Sequence, residues 1–128
     1  MASPVGATLM LPDEVVSLAS GAAAVGAFTD IDISAYTGSQ AAKAAVLRVQ
    51  VKNQTVGGAT VEVQLRENGT NPTNPRLVTS ISTDPGRNSL VERTVVVPVD
   101  ENEILEYKVT DSGAGTLAWH IWLEGWYL

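Results

Sequence analysis

Ala45-Val46-Leu47-Arg48-Val49-Gln50-Val51-Lys52 and Val61-Glu62-Val63-Gln64-Leu65-Arg66 carry the reading on which the fold turns. In both stretches apolar side chains recur at every second residue, and polar or charged ones fill most positions between them. A helix would bring residues three and four apart onto one face. A strand brings residues two apart onto one face, so this period implies extended chain with one face in a core and the other toward water. The two runs read as adjacent strands.

The same pattern extends along the chain. Residues 76–82 form a strand, and Leu90 to Val99 is a β-branched run with Pro98 near its end, where a missing donor costs least. Ile104 to Thr110 places Leu105, Tyr107 and Val109 on one face. Leu117, Trp119, Ile121 and Leu123 alternate with Ala118, His120, Trp122 and Glu124, and Gly125 fits a bulge that re-aims Trp126 and Leu128. Upstream, residues 26–34 set Ile31 and Ile33 against Asp30 and Asp32. Gly57-Gly58, Asn68-Gly69, the proline- and asparagine-rich 71–75, Asp84-Pro85-Gly86, 100–103 and 111–115 are read as turns and loops.

The N-terminal part is less regular in pattern. Residues 1–12 have no periodicity and contain Pro4 and Pro12, which reads as an extended N-terminal arm ahead of a domain at 13–128. Residues 13–20 fit a short helix capped by Asp13 or a strand; the strand reading is preferred because everything downstream is strand. Residues 39–44 leave room for one helical turn. The count is about eight strands with turns between them, which predicts an all-β, antiparallel β-sandwich, jelly-roll-like.

Composition bounds the function. The chain has 128 residues, enough for one core, and no cysteine, which removes disulfides and thiolate chemistry. A net charge of −6 with scattered lysines and arginines argues against nucleic-acid binding. Only 17% of residues are charged, so much of the surface must be small, hydroxylic or apolar, a composition suited to packing against neighbours. No basic region followed by an apolar run suggests a signal peptide, and no apolar stretch suggests a membrane span. Asn53-Gln54-Thr55 and Asn68-Gly69-Thr70 match the glycosylation sequon but are read as loop and turn residues.

Candidate chemistry is sparse, and no enzyme and no cofactor or metal is expected. Asp30 and Asp32 share a strand face without a third ligand nearby, so a solvated polar face is preferred to a calcium site. Asp100, Glu101 and Glu103 read as an acidic turn. His120 is the single histidine, with no nucleophile elbow to serve, and is expected at the surface or at a subunit contact. Trp119 belongs with the core-facing set. Trp122 and Trp126, with Tyr127 beside them, fit an interface or sugar platform as well as they fit the core.

One stretch, Phe28-Thr29-Asp30-Ile31-Asp32-Ile33-Ser34-Ala35-Tyr36, resembles the opening of jelly-roll domains in tailed-phage virion proteins. Further similarities follow in order: the strand Ala45 to Val49, the hairpin Leu65-Arg66-Glu67-Asn68-Gly69, the turn Val99 to Glu103, and the close Leu123-Glu124-Gly125-Trp126. The resemblance spans roughly residues 15–128 and implies a structural protein of the virion, on the capsid surface or in the tail. No coiled-coil or collagen-like shaft is present, which favours a capsid decoration (cement) protein over a fibre. The implied partners are the major capsid protein and further copies of the chain, as a homotrimer. The implied location is the capsid surface, after synthesis in the host cytoplasm. Trp122, Trp126 and Tyr127, with Leu9, Met10 and Leu11 of the arm, are the candidate interface residues. A carbohydrate- or receptor-binding module of a tail or fibre is the alternative.

Overall fold

The computed structural model describes residues 8–54, 59–68, 77–83, 89–112 and 117–128. Nine strands and one helical turn are found among them: β1 (Leu9–Met10), β2 (Val16–Gly21), β3 (Val25–Asp32), α1 (Ser34–Thr37), β4 (Ala44–Asn53), β5 (Val61–Glu67), β6 (Leu77–Ser82), β7 (Ser89–Pro98), β8 (Ile104–Asp111) and β9 (Leu117–Tyr127). They build two antiparallel sheets. One runs β1-β9-β4-β7, with β2 pairing the same edge of β9 as β1, and the other runs β3-β8-β5-β6.

The pairing has a simple rule. β2 pairs β9, β3 pairs β8, β4 pairs β7 and β5 pairs β6. These are the rungs of one long antiparallel ribbon, closed at the β5–β6 end and rolled so that successive rungs fall in alternate sheets. That arrangement is a jelly roll. Rolling brings β9 against β4, and β8 against β5, as the second set of contacts.

The core lies between the sheets and is built from the alternation seen in the sequence. Leu47, Val49 and Val51 of β4, Val61, Val63 and Leu65 of β5, Leu105 and Val109 of β8, and Ile121 and Leu123 of β9 are fully enclosed. Trp119 packs beside Tyr107, ring centroids 5.2 Å apart, and its indole N–H donates to the Ala23 carbonyl at 2.8 Å, which satisfies its one polar atom.

Two local expectations are corrected. β4 and β5 are not neighbours in a sheet: they lie in opposite sheets and face each other across the core. Alternation satisfies either arrangement, because both bury the same side chains. The connection between them is longer than the two-residue turn that holds a hairpin in one sheet, so it crosses the gap of about 10 Å between sheets. The helical turn sits at Ser34–Thr37, ahead of 39–44. Gly38 ends it at φ 65°, and Ser39 and Ala41 also have positive φ, which no right-handed turn accommodates.

Most other readings hold. Of the ambiguous stretch 13–20, residues 16–20 are strand and 13–15 precede it, and Pro98 is the last residue of edge strand β7. Asn53 was read as a loop residue and is instead the buried last residue of β4, where its side chain donates to the Ala59 carbonyl at 2.7 Å; Asn68 is also buried and donates to Asp100 Oδ2 at 2.7 Å. Both sequon asparagines are thus occupied inside the fold. Of the stretch read as an arm, residues 1–7 lie outside the described residues, and Leu9–Met10 pairs with the end of β9. The turns expected at Gly57-Gly58, 71–75 and Asp84-Pro85-Gly86 also lie outside the described residues.

Below the helical turn, one buried carboxylate organises the chain. Glu103, at φ 63°, accepts from Thr37 Oγ1 at 2.7 Å and from the Ala42 amide at 2.6 Å. It ties the loop between α1 and β4 to the turn before β8. Asp100 closes that turn by accepting from the Asn102 and Ile104 amides.

Candidate interface on the five-stranded sheet

The bulge in β9 decides which side chains reach the outer face of this sheet. Leu47 pairs with Leu123, but Val46 pairs with Gly125, so Glu124 is an extra residue. A regular strand would send Trp126 outward and Tyr127 inward after Leu123. The added residue inverts both. Trp126 is buried at 5% exposure, opposite buried Ala45, with its indole N–H directed to Gln40 Oε1 at 3.3 Å. Tyr127 faces out opposite Ala44.

Two consecutive register rows then run across the outer face. The first is Leu9, Tyr127, Ala44 and Pro98; the second is Gly125, Val46 and Val96, with Leu9 and Leu11 folded over the glycine. Leu9 is 47% exposed, Leu11 68% and Val96 49%. No charged side chain stands at these register positions. A continuous apolar strip therefore crosses the sheet from β1 to its far edge at β7. Exposed apolar surface gathered in this way on a monomer marks a contact surface more often than scattered single residues do.

The next rows are polar. Ser17, Trp122, Arg48 and Thr94 share one row, and Ser20, His120, Gln50 and Glu92 share the other. The Trp122 ring is stacked against His120 at 3.8 Å between centroids and 13° between planes. The Arg48 guanidinium lies 4.4 Å from the Trp122 ring centroid. Arg48 Nε is 3.2 Å from Glu124 and 3.6 Å from Glu92, ion-pair distances without hydrogen-bond alignment. These charges are partly solvated, so the pairs add little stability and mainly hold the guanidinium in place. His120 Nε2 is 2.7 Å from Ser17 Oγ. Burial, and then the Arg48 charge, hold the His120 imidazole below its ordinary pKa of 6.5. Trp122 is thus engaged by its own neighbours, with His120 stacked on its ring and Arg48 within cation–π distance.

Of the six interface residues named from sequence, the structure brings Leu9, Leu11 and Tyr127 onto one patch and sets Trp122 in the adjoining row. Met10 and Trp126 are paired with each other and face the core. Ala44, Val46, Val96 and Pro98 complete the patch and were not singled out. Their signal was present: Val46 and Val96 are apolar residues at the outward parity of their strands.

The other candidate positions are ordinary surface or turn. Asp30 and Asp32 are exposed on β3, and Asp32 accepts from the Ser34 amide at 2.9 Å. Among the described residues, no three histidine, aspartate or glutamate side chains converge as a metal site would require. On the four-stranded sheet, Arg66 of β5 stacks over Phe28 of β3 at 3.6 Å from the ring centroid and pairs with Glu106 of β8 at 3.4 Å. The chain matches no family model, and no curated protein matches it.

Proposed function

We propose that this chain is a virion structural protein, a capsid decoration protein that binds the outer surface of an assembled shell and stabilises it by non-covalent contacts. The observation that carries the reading is the charge-free strip of Leu9, Leu11, Tyr127, Ala44, Val46, Val96 and Pro98 across one sheet. It is supported by the ordered resemblance to jelly-roll domains of tailed-phage virion proteins and by the jelly-roll pairing itself. The mechanism is passive. The strip seats on the major capsid protein, apolar surface is withdrawn from water, and no bond is made or broken. Copies arranged as homotrimers on a lattice gain avidity, so each contact can be weak while the coat is stable.

The test is co-sedimentation with assembled, undecorated phage shells, together with solution mass by light scattering. Wild type is expected to form an oligomer and to saturate shells. Val96→Asp and Leu11→Asp each place a charge in the strip and should weaken shell binding at least about tenfold. Ser82→Asp, on the other sheet, should leave it unchanged. A monomeric wild type that stays in the supernatant would sink the proposal.

A further inference from the structure

The far edge of the sandwich carries a second feature, separate from the strip and independent of the virion reading. β7 ends one sheet and β6 ends the other, so on the same side of the molecule each has an outer edge that pairs with no further strand among the described residues. Odd-numbered residues of β7 point toward the core. Val97 is fully buried, yet Val91 and Val95 are only half-buried and Arg93, at the same inward parity, is exposed. The sheets therefore part along this stretch. The resulting cleft has a volume of about 290 Å³ and is lined by residues 79–82 of β6 and by Val91, Arg93 and Val95 of β7.

Its chemistry is specific. Its lining combines apolar Ile81, Val91 and Val95 with hydroxylic Thr79, Ser80 and Ser82, and Arg93 is the one charged residue among those lining it. The Arg93 guanidinium donates only to the Glu92 backbone carbonyl, at 3.2 Å, and makes no ion pair among the described residues. The other two arginines that reach a described partner, Arg48 and Arg66, both sit against carboxylates. A guanidinium at the inward parity of β7, lining the cleft without a carboxylate partner and beside two strand edges that pair no further strand among the described residues, is a constellation that suits an extended acidic segment. Backbone pairing supplies affinity, alternate side chains enter the cleft, and the planar fork takes a carboxylate.

We propose that this cleft binds an extended, acidic peptide segment of a partner protein, added as a strand alongside β7. β7 is the better template of the two edges. It pairs with β4 over ten consecutive residues without a register shift, whereas the β5–β6 pairing shifts between Leu65 and Arg66. An added strand would continue the five-stranded sheet, with one acidic side chain directed into the cleft at Arg93. Pro98 lacks a donor and limits the pairing at the end of β7.

The experiment uses the full chain, labelled with 15N, and two pools of seven-residue peptides. Both pools vary Thr, Val, Ser and Ile at the flanking positions; one fixes a central glutamate and the other a central glutamine. The glutamate pool is expected to shift the amides of 79–82 and 91–95. The glutamine pool should bind at least about tenfold more weakly, and so should the glutamate pool on Arg93→Gln, because a charge-assisted pair is lost in each case. Unchanged far-UV circular dichroism shows that Arg93→Gln has not lost its fold. Equal binding of the two pools overturns the proposal, and so does the absence of shifts along β7. If neither pool binds and Arg93→Leu makes the protein self-associate, Arg93 is an inward charge that guards an edge against aggregation, and the peptide site is refuted.

Discussion

Gly125→Ala tests the packing that creates the outer strip. The glycine is required there for space. A Cβ at this position would lie 2.6 Å from the Met10 carbonyl oxygen and 3.0 Å from Leu11 Cδ2. The first contact is with backbone, so it cannot be relieved by turning a side chain. To reach 3.4 Å, the near edge of ordinary contact, β1 must retreat from 2.6 Å, a shift of about 0.8 Å. β1 is held by its pairing with Tyr127 and Trp126 and by the Leu128 amide, which donates to the Thr8 carbonyl at 2.9 Å. The same shift carries that bond to roughly 3.7 Å, past the ~3.2 Å end of the N–H···O range. Losing two or so backbone bonds at about 1 kcal/mol each predicts a destabilisation of about 2 kcal/mol. For a domain of this size, that corresponds to a fall in Tm of roughly 8 °C. Calorimetry gives the Tm, and hydrogen exchange at the Leu128 amide reports the detachment of β1 directly. Gly26→Ala is the control, since a Cβ there meets nothing within 4 Å. If Gly125→Ala keeps the wild-type Tm and a protected Leu128 amide, the account of β1 as a tightly seated cover over the bulge is wrong.

Two further expectations concern ionisable groups. Glu103→Ala strands the Thr37 hydroxyl and the Ala42 amide in a buried setting and should cost about 2–4 kcal/mol in urea denaturation, with Glu103→Gln losing about half as much because its carbonyl retains one donor. Equal losses in the two variants would show that the carboxylate is not accepting both bonds. The folded His120 titrates below 6.5, so the unfolded chain binds the proton first as pH falls. Its contribution to stability should be complete well above 6.5, decline as pH drops through 6.5, and level off below the lowered folded value. His120→Gln should abolish that slope, and Arg48→Gln should move the imidazole back toward 6.5; an NMR titration unaffected by Arg48→Gln would remove the charge from the explanation.

How far the sequence carried this reading depended on whether a feature was local. Strand β4 is legible because Leu47, Val49 and Val51 report burial through their own spacing. So is the β9 bulge, since glycine between Glu124 and Trp126 interrupts a strong alternation. The partners of β4 are not legible. Val46 meets Val96 and Gly125 only through pairings across some fifty and eighty residues, and nothing local encodes them. The strip followed the same division. Leu9, Leu11 and Tyr127 stand out as apolar residues in an unpatterned or aromatic context, whereas Ala44, Val46, Val96 and Pro98 join them only once the sheet is assembled. The cleft at Arg93 was illegible for a related reason. Its inward parity can be read from the strand, but that the sheets part there depends on how β6 and β7 end their respective edges.

The ribbon-like pairing has a consequence for how the molecule comes to be made. β9 is paired on both sides, to β1 and β2 on one edge and to β4 on the other, yet it is the last strand in chain order. During synthesis, β2 has no strand to pair with and β4 has only β7 until β9 leaves the ribosome. The nearest-neighbour hairpin, β5 with β6, is the first rung that can close. Most native contacts are thus distant in sequence, a topology that folds slowly because loop closure precedes its reward. Through that interval the inward faces of β4 and β5 remain open to water, and the last eleven residues of the final strand complete both the core and the sheet that carries the strip.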